Sequence, residues 1–210
     1  MYYLESINKW MMVPQMRTLA RIVANIVFKL FFKVEVINCE KVPAEGPVLF
    51  CANHNSILDM FFLGYKINRW IYWMTKEEAF RNPILGFIIK KLGAFPVKRG
   101  KGDVGSIKYA YKLLSENKIV GIFPQGTRVN PNKIETARIK PGAAMIAANT
   151  GVKVLPATVT GSYKLFSKMK VVYGEPFVIK KKGEKPTKEE LTKISRDIIK
   201  RVYALSEVGS

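Results

Sequence analysis

Short runs rich in β-branched, aliphatic and aromatic residues alternate with stretches of helical spacing along most of this chain. The strand-like segments are VEVIN (34–38), PVLFCAN (47–53), RWIYWMT (69–75), AFPVKR (94–99), IVGIFPQG (119–126), VKVLPATVT (152–160) and KVVYGEPFVI (170–179). Pro, Gly and Asn punctuate them. Helical spacing predicts helices over 57–66, 82–93, 104–118, 140–149 and 188–205, with a short helical piece at 77–80. Strands alternating with helices predict an α/β fold whose sheet is mixed, largely parallel and flanked by helices. In such folds ligands sit in the loops at the carboxyl ends of the strands.

The chain has 210 residues, enough for one α/β domain and too few for a second full one. That domain is expected over 34–210, preceded by an amphipathic helical membrane-anchoring motif over 1–33. Thirty-five Lys and Arg against sixteen Asp and Glu give a formal net charge of +19, which calls for an anionic partner surface. Nucleic acid and anionic phospholipid both satisfy the charge. The chain shows no aromatic RNA-binding motif, zinc finger or helix-turn-helix pattern, so nucleic acid is not an expected partner. Two cysteines, Cys39 and Cys51, and a single histidine exclude a zinc site or a disulfide framework and fit a reducing compartment. The opening MYYLESINKW lacks the features of a secretory signal, so export is not expected.

Within the front motif, QMRTLARIVANIVFKLFFK (15–33) follows Pro14 and has helical period. Met16, Leu19, Val23, Ile26 and Leu30 share one face, Arg17, Arg21, Lys29 and Lys33 another, and Phe28 and Phe32 fall in the polar sector. Asn25 and Lys29 interrupt the run well short of the roughly twenty apolar residues a bilayer requires, so the helix is not expected to span. Its apolar face either covers the protein core or lies in the lipid interface with the basic stripe at the headgroups. The interfacial reading is preferred, with Trp10, Met11, Met12 and Val13 as further anchors. The expected location is peripheral, on the cytoplasmic face of the cell membrane.

The sole histidine lies at a strand-to-helix corner, Asn53-His54-Asn55-Ser56-Ile57-Leu58-Asp59. In one continuous helix His54 and Asp59 would stand about 140° apart. In a corner the imidazole folds back over the first helical turn and reaches the carboxylate. That carboxylate would then orient one ring nitrogen and leave the other to take a proton from a substrate hydroxyl. Two other readings stand beside this one: Ser56 with Asp59 three residues on is a capping-box pattern, and a corner histidine is often only a structural hydrogen-bonder. Cys51, in an apolar strand, reads as a core residue rather than a nucleophile.

Asn53-His54 followed by Asp59 resembles the first signature block of the glycerolipid acyltransferase family, whose bacterial members acylate lysophosphatidic acid. Three more blocks follow in the family's order: Gly93-Ala94-Phe95-Pro96-Val97-Lys98-Arg99, Phe123-Pro124-Gln125-Gly126-Thr127-Arg128 and Val154-Leu155-Pro156-Ala157. The resemblance implies that His54 and Asp59 are catalytic and that Arg99 and Arg128 hold the acceptor's phosphate. Their planar forks suit a phosphate monoester, and Lys98 and the Gly126 and Thr127 amides are expected to assist. Asn53, Gln125, Lys140 and Pro156 form a supporting set.

On this resemblance His54 deprotonates the glycerol hydroxyl of lysophosphatidic acid, and the alkoxide attacks the thioester of acyl carrier protein or coenzyme A. No metal or bound cofactor is implied. The chain departs from the family at Gln125, where Glu is usual, and at Val129, where Ser is common. Gln125 keeps the shape and loses the charge. Two alternatives therefore stay open: a sister acyltransferase acting on glycerol-3-phosphate or another lysophospholipid, and a catalytically weak membrane-binding homologue.

Overall fold

The computed structural model describes residues 14–98, 103–126, 140–180 and 184–208, with side chains from residue 18 onward. The expected anchors at 10–13 and the expected phosphate ligands Arg99, Thr127 and Arg128 lie outside the described residues. In chain order the elements are α1 (Pro14–Phe31), β1 (Lys33–Ile37), β2 (Val48–Ala52), α2 (Asp59–Gly64), β3 (Ile71–Lys76), α3 (Pro83–Lys91), β4 (Phe95–Val97) and α4 (Val104–Ser115). They continue with β5 (Ile119–Ile122), α5 (Gly142–Thr150), β6 (Lys153–Gly161), β7 (Lys168–Tyr173), β8 (Phe177–Val178) and α6 (Lys188–Ala204). A 3-10 turn, Glu77–Phe80, links β3 to α3.

One eight-stranded sheet runs in the order β1-β7-β6-β2-β5-β3-β4, with β8 also paired to β6. The five strands β6, β2, β5, β3 and β4 are mutually parallel. β7 runs antiparallel to β6 and parallel to β1, which makes the sheet mixed. Strand β2 is buried on both faces and shows the two-residue alternation directly. Val48, Phe50 and Ala52 join a core with Phe28 of α1 and Phe62 of α2. Leu49 and Cys51 point the other way, into a core with Leu113 of α4, Ile146 of α5 and Ile198 of α6.

The segment expected as one strand over 170–179 divides into β7 and β8 at Gly174–Pro176. Gly174 lies against Pro156 of β6, where an added Cβ would come within 2.9 Å of the proline ring. β7 pairs with β6 from Ala157 onward and β8 only as far as Val154, so Pro156 occupies the gap between them. A proline there leaves both of those ladders intact, which explains its place in an inner strand.

α1 packs on the domain through its polar sector rather than through its apolar stripe. Phe28, in the polar sector, is 5% exposed, and its ring stacks on Phe62 at 4.3 Å with Tyr65 edge-on at 5.3 Å. Phe32 meets the same Phe62 ring at 5.1 Å. Leu19, Val23, Ile26 and Leu30 are instead 50–60% exposed. Two phenylalanines one turn apart meet the Phe62 ring of α2 and so fix the helix's rotation. The stripe therefore does not cover the core. Among the described residues no helix is long and apolar enough to cross a membrane.

Candidate active site

The carboxyl ends of β2, β5, β3 and β4 point to one side of the sheet, and the corner after β2 carries His54. Asn53, 3% exposed, pins that corner by pairing with the backbone of Val159 in β6: its Nδ2 donates to Val159 O, and Val159 N–H donates to its Oδ1, each at 2.8 Å. The chain then folds over the start of α2, and His54 Nδ1 comes within 2.9 Å of Asp59 Oδ2. The same oxygen accepts the Asn55 and Ser56 N–H groups at 2.6 and 2.7 Å. Asp59 thus fills half of the capping box that the sequence suggested and meets the imidazole at once. Ser56 Oγ turns to the Leu58 N–H rather than to that of Asp59.

Asp59 is fully buried, and its second oxygen receives the hydroxyl of Tyr163 at 2.5 Å. Burial, reinforced by the carboxylate alongside, pushes the Tyr163 pKa well above the ordinary phenol range, so the group stays a donor. Sequence reasoning missed Tyr163, because the loop after β6 has no motif that marks it and its partner lies 104 residues away.

The imidazole is also held from its flat side. Its ring stacks on Phe123 at 4.0 Å and 14°, and Phe123 stacks in turn on Trp73 at 4.7 Å and 12°. The bare α-carbon of Gly121 permits this column, since a Cβ there would lie 2.5 Å from the Trp73 ring. With Nδ1 engaged and the side chain 18% exposed, Nε2 is the nitrogen left to take a proton.

His54 borders a cavity of about 310 Å³ whose walls include Ile57, Met60, Met74, Leu85, Ile89 and Phe123. Leu85 and Ile89 belong to α3. The Asn82 side chain caps that helix by accepting the Leu85 N–H at 2.9 Å, and Pro83 occupies its first turn. Cys51 is buried in β2, and desolvation pushes its thiol far above the range of a nucleophile.

The remaining expected residues are placed differently. Lys98 ends exposed after β4, its N–H donating to Asp103 Oδ2 at 2.7 Å. Gly126 borders the cavity, but its N–H donates to Phe123 O at 2.8 Å. That amide is engaged by the chain's own turn. Gly126 holds φ +66°, and a Cβ there would press to 3.0 Å on the Lys140 side chain, so Lys140 covers this turn. Gln125 is 2% exposed and turned into the protein, where its Nε2 donates to the Tyr203 hydroxyl of α6. Pro156 is buried within β6 and does not border the cavity.

Comparison with known proteins places this arrangement. The acyltransferase family model matches residues 33–160. The chain is 35% identical over 186 residues to the 1-acyl-sn-glycerol-3-phosphate acyltransferase of Bacillus subtilis, covering 86% of this chain and 92% of that protein. It is 31% identical over 150 residues to a chloroplastic 1-acyl-sn-glycerol-3-phosphate acyltransferase of Arabidopsis thaliana, covering 70% of this chain and 41% of that one. The fold matches the crystal structure of the 1-acyl-sn-glycerophosphate acyltransferase PlsC from Thermotoga maritima with a TM-score of 0.65 and 24% identity, over 100% of this chain and 81% of the other. With the family model matched over more than half of the chain and a relative 35% identical over 86% of it, the chain belongs to the acyltransferase family.

Proposed function

We propose that this protein transfers a fatty acyl group from the thioester of acyl carrier protein or coenzyme A to the sn-2 hydroxyl of 1-acyl-glycerol-3-phosphate, giving phosphatidic acid. The observation that carries the reading is the His54 Nδ1 to Asp59 Oδ2 contact of 2.9 Å at the wall of a cavity that has a largely apolar side and also reaches Thr75 and Lys76. His54 Nε2 takes the hydroxyl proton as the oxygen attacks the thioester carbonyl. The C–S bond then breaks, the thiolate leaves, and the imidazolium returns the proton to it as thiol. Asp59 steadies the imidazolium, with its own oxygens held by Tyr163 and two backbone N–H groups. A thioester is already activated, so the chemistry calls for no metal and no enzyme-bound acyl group; the main task is placement.

The cavity beside His54 supplies an apolar wall for an acyl chain. Lys98 follows β4, which is parallel to β2 and so ends on the same side of the sheet as His54, and Arg99, Thr127 and Arg128 take the role around the acceptor's phosphate that their signature blocks imply. Gln125 does not border the cavity, which favours a chain that is active despite the missing carboxylate. The outward stripe of α1 and the net charge of +19 support a division into an anchoring front, 1–33, and a catalytic domain, 34–210. They also support peripheral attachment to anionic phospholipid on the cytoplasmic face of the membrane.

The test is acyl transfer from labelled carrier-protein and coenzyme A thioesters to lysophosphatidic acid, with glycerol-3-phosphate as competing acceptor. This chain and Gln125→Glu are run side by side. Turnover by this chain, preferring lysophosphatidic acid, is expected. Turnover by the Glu variant alone would show that the chain as it stands is a silent homologue.

A further inference from the structure

The loop joining β6 to β7, residues 162–167, presents two large apolar side chains to solvent: Leu165 is 62% and Phe166 67% exposed. Phe166 holds φ +63°, a left-handed conformation that bulky residues rarely adopt. The loop is nevertheless pinned in that shape. Phe166 N–H donates to Phe31 O at 2.6 Å, and the Ser167 hydroxyl donates to Lys164 O at 2.6 Å and to Ser162 O. The exposure is therefore built into the loop rather than a result of fraying.

The tip also continues a larger surface. The Phe166 ring lies 6.1 Å from that of Phe31, at the end of α1, whose outer stripe of Leu19, Val23, Ile26 and Leu30 is exposed. Lysines border the junction. Lys33 and Lys168 are register partners in β1 and β7, and both are exposed, as are Lys29 and Lys164. The nearest acid in that ladder, Glu35, stands opposite Lys170. An apolar tip surrounded by cations is complementary to acyl chains beneath anionic headgroups.

We propose that loop 162–167 is a second membrane-contacting element, which inserts Leu165 and Phe166 into an anionic bilayer beside α1. This rests on the lipid-surface part of the proposed function and is independent of acyl transfer. The loop also carries Tyr163, the donor to Asp59, so the element that reaches the lipid is the one that holds the dyad's carboxylate.

The experiment places an environment-sensitive fluorophore on Phe166→Cys in the full chain carrying Cys39→Ser, where the other thiol, Cys51, is fully buried. The control is the same label at Glu189→Cys, exposed on α6, which packs on the opposite face of the sheet. On vesicles of phosphatidylglycerol and phosphatidylcholine, a blue shift and quenching by brominated lipid are expected at 166 and not at 189. Leu165→Ser with Phe166→Ser should weaken vesicle binding by about tenfold or more with an unchanged melting temperature, because two apolar side chains no longer enter lipid. A water-like spectrum at 166 while the chain sediments with vesicles overturns the proposal. So does a blue shift that follows protein concentration without vesicles, the signature of self-association. Insertion at 166 in a chain without acyltransferase activity sinks the proposed reaction and leaves the membrane element standing.

Discussion

The Tyr163 hydroxyl donates to Asp59 Oδ1 at 2.5 Å, while Oδ2 of the same carboxylate lies 2.9 Å from His54 Nδ1. Tyr163 thus fixes which edge of a buried carboxylate faces the imidazole, acting as a positioning residue. Tyr163→Phe should lower kcat about tenfold, the scale of one hydrogen bond to a charged group, with little change in the acceptor's KM. A variant with wild-type kcat would remove Tyr163 from the mechanism.

His54 stacks on Phe123 and borders the cavity, so His54→Ala removes the proposed base without disturbing the outer face of α1. Turnover should fall by about 10²–10⁴-fold while sedimentation with anionic vesicles is unchanged. Substantial acyl transfer by this variant would end the general-base assignment.

Because Arg128 is proposed to clamp the acceptor's phosphate, Arg128→Ala should act mainly on the KM for lysophosphatidic acid, by about tenfold or more, rather than on kcat. An unchanged KM argues that the phosphate is held elsewhere.

Leu85 and Ile89 stand one turn apart on α3 and wall the cavity beside His54. Leu85→Trp should shorten the space for the acyl chain and move donor preference toward shorter thioesters by several-fold, read from competition between chain lengths. A loss of rate equal for all lengths would show that this wall does not meet the chain.

Asp103 caps α4 through the Ser106 N–H at 3.1 Å and also accepts the Lys98 N–H at 2.7 Å. Partial burial pushes its carboxyl pKa up, but the N–H groups of Lys98, Ser106 and Gly105, with the Ser106 hydroxyl, outweigh this and hold it below the ordinary 3.8. The folded-state value is the lower one. Its contribution to stability is therefore complete above the ordinary carboxylate range and is lost as pH falls through the folded value. Urea unfolding of Asp103→Asn should show a flatter fall in stability than the parent between about pH 5 and pH 2. A parallel displacement of the two curves would mean that the carboxylate's charge is irrelevant to the cap.

Residues whose neighbours are close in sequence were legible before folding. The strand and helix order follows from runs such as PVLFCAN and NPILGFIIKKLG, and the reach of His54 to Asp59 follows from a corner only five residues long. Where the pattern left two placements open, packing decided. In α1 two rings of the polar sector, Phe28 and Phe32, meet Phe62, and the apolar stripe is left facing outward. Only the folded turn shows that the Gly126 amide donates to Phe123 O.

By itself the sequence determined the α/β class and most of the element order, which depend on local periodicity, and put His54 within reach of Asp59, while the four signature blocks rest on a resemblance to a family. Tertiary structure alone decided that Tyr163 completes the carboxylate's shell, that Phe123 and Trp73 back the imidazole, that Gln125 turns inward to Tyr203, and that Phe166 stands in solvent beside Phe31. These contacts join segments tens of residues apart, and no one-dimensional pattern encodes a distance that the sheet's strand order creates.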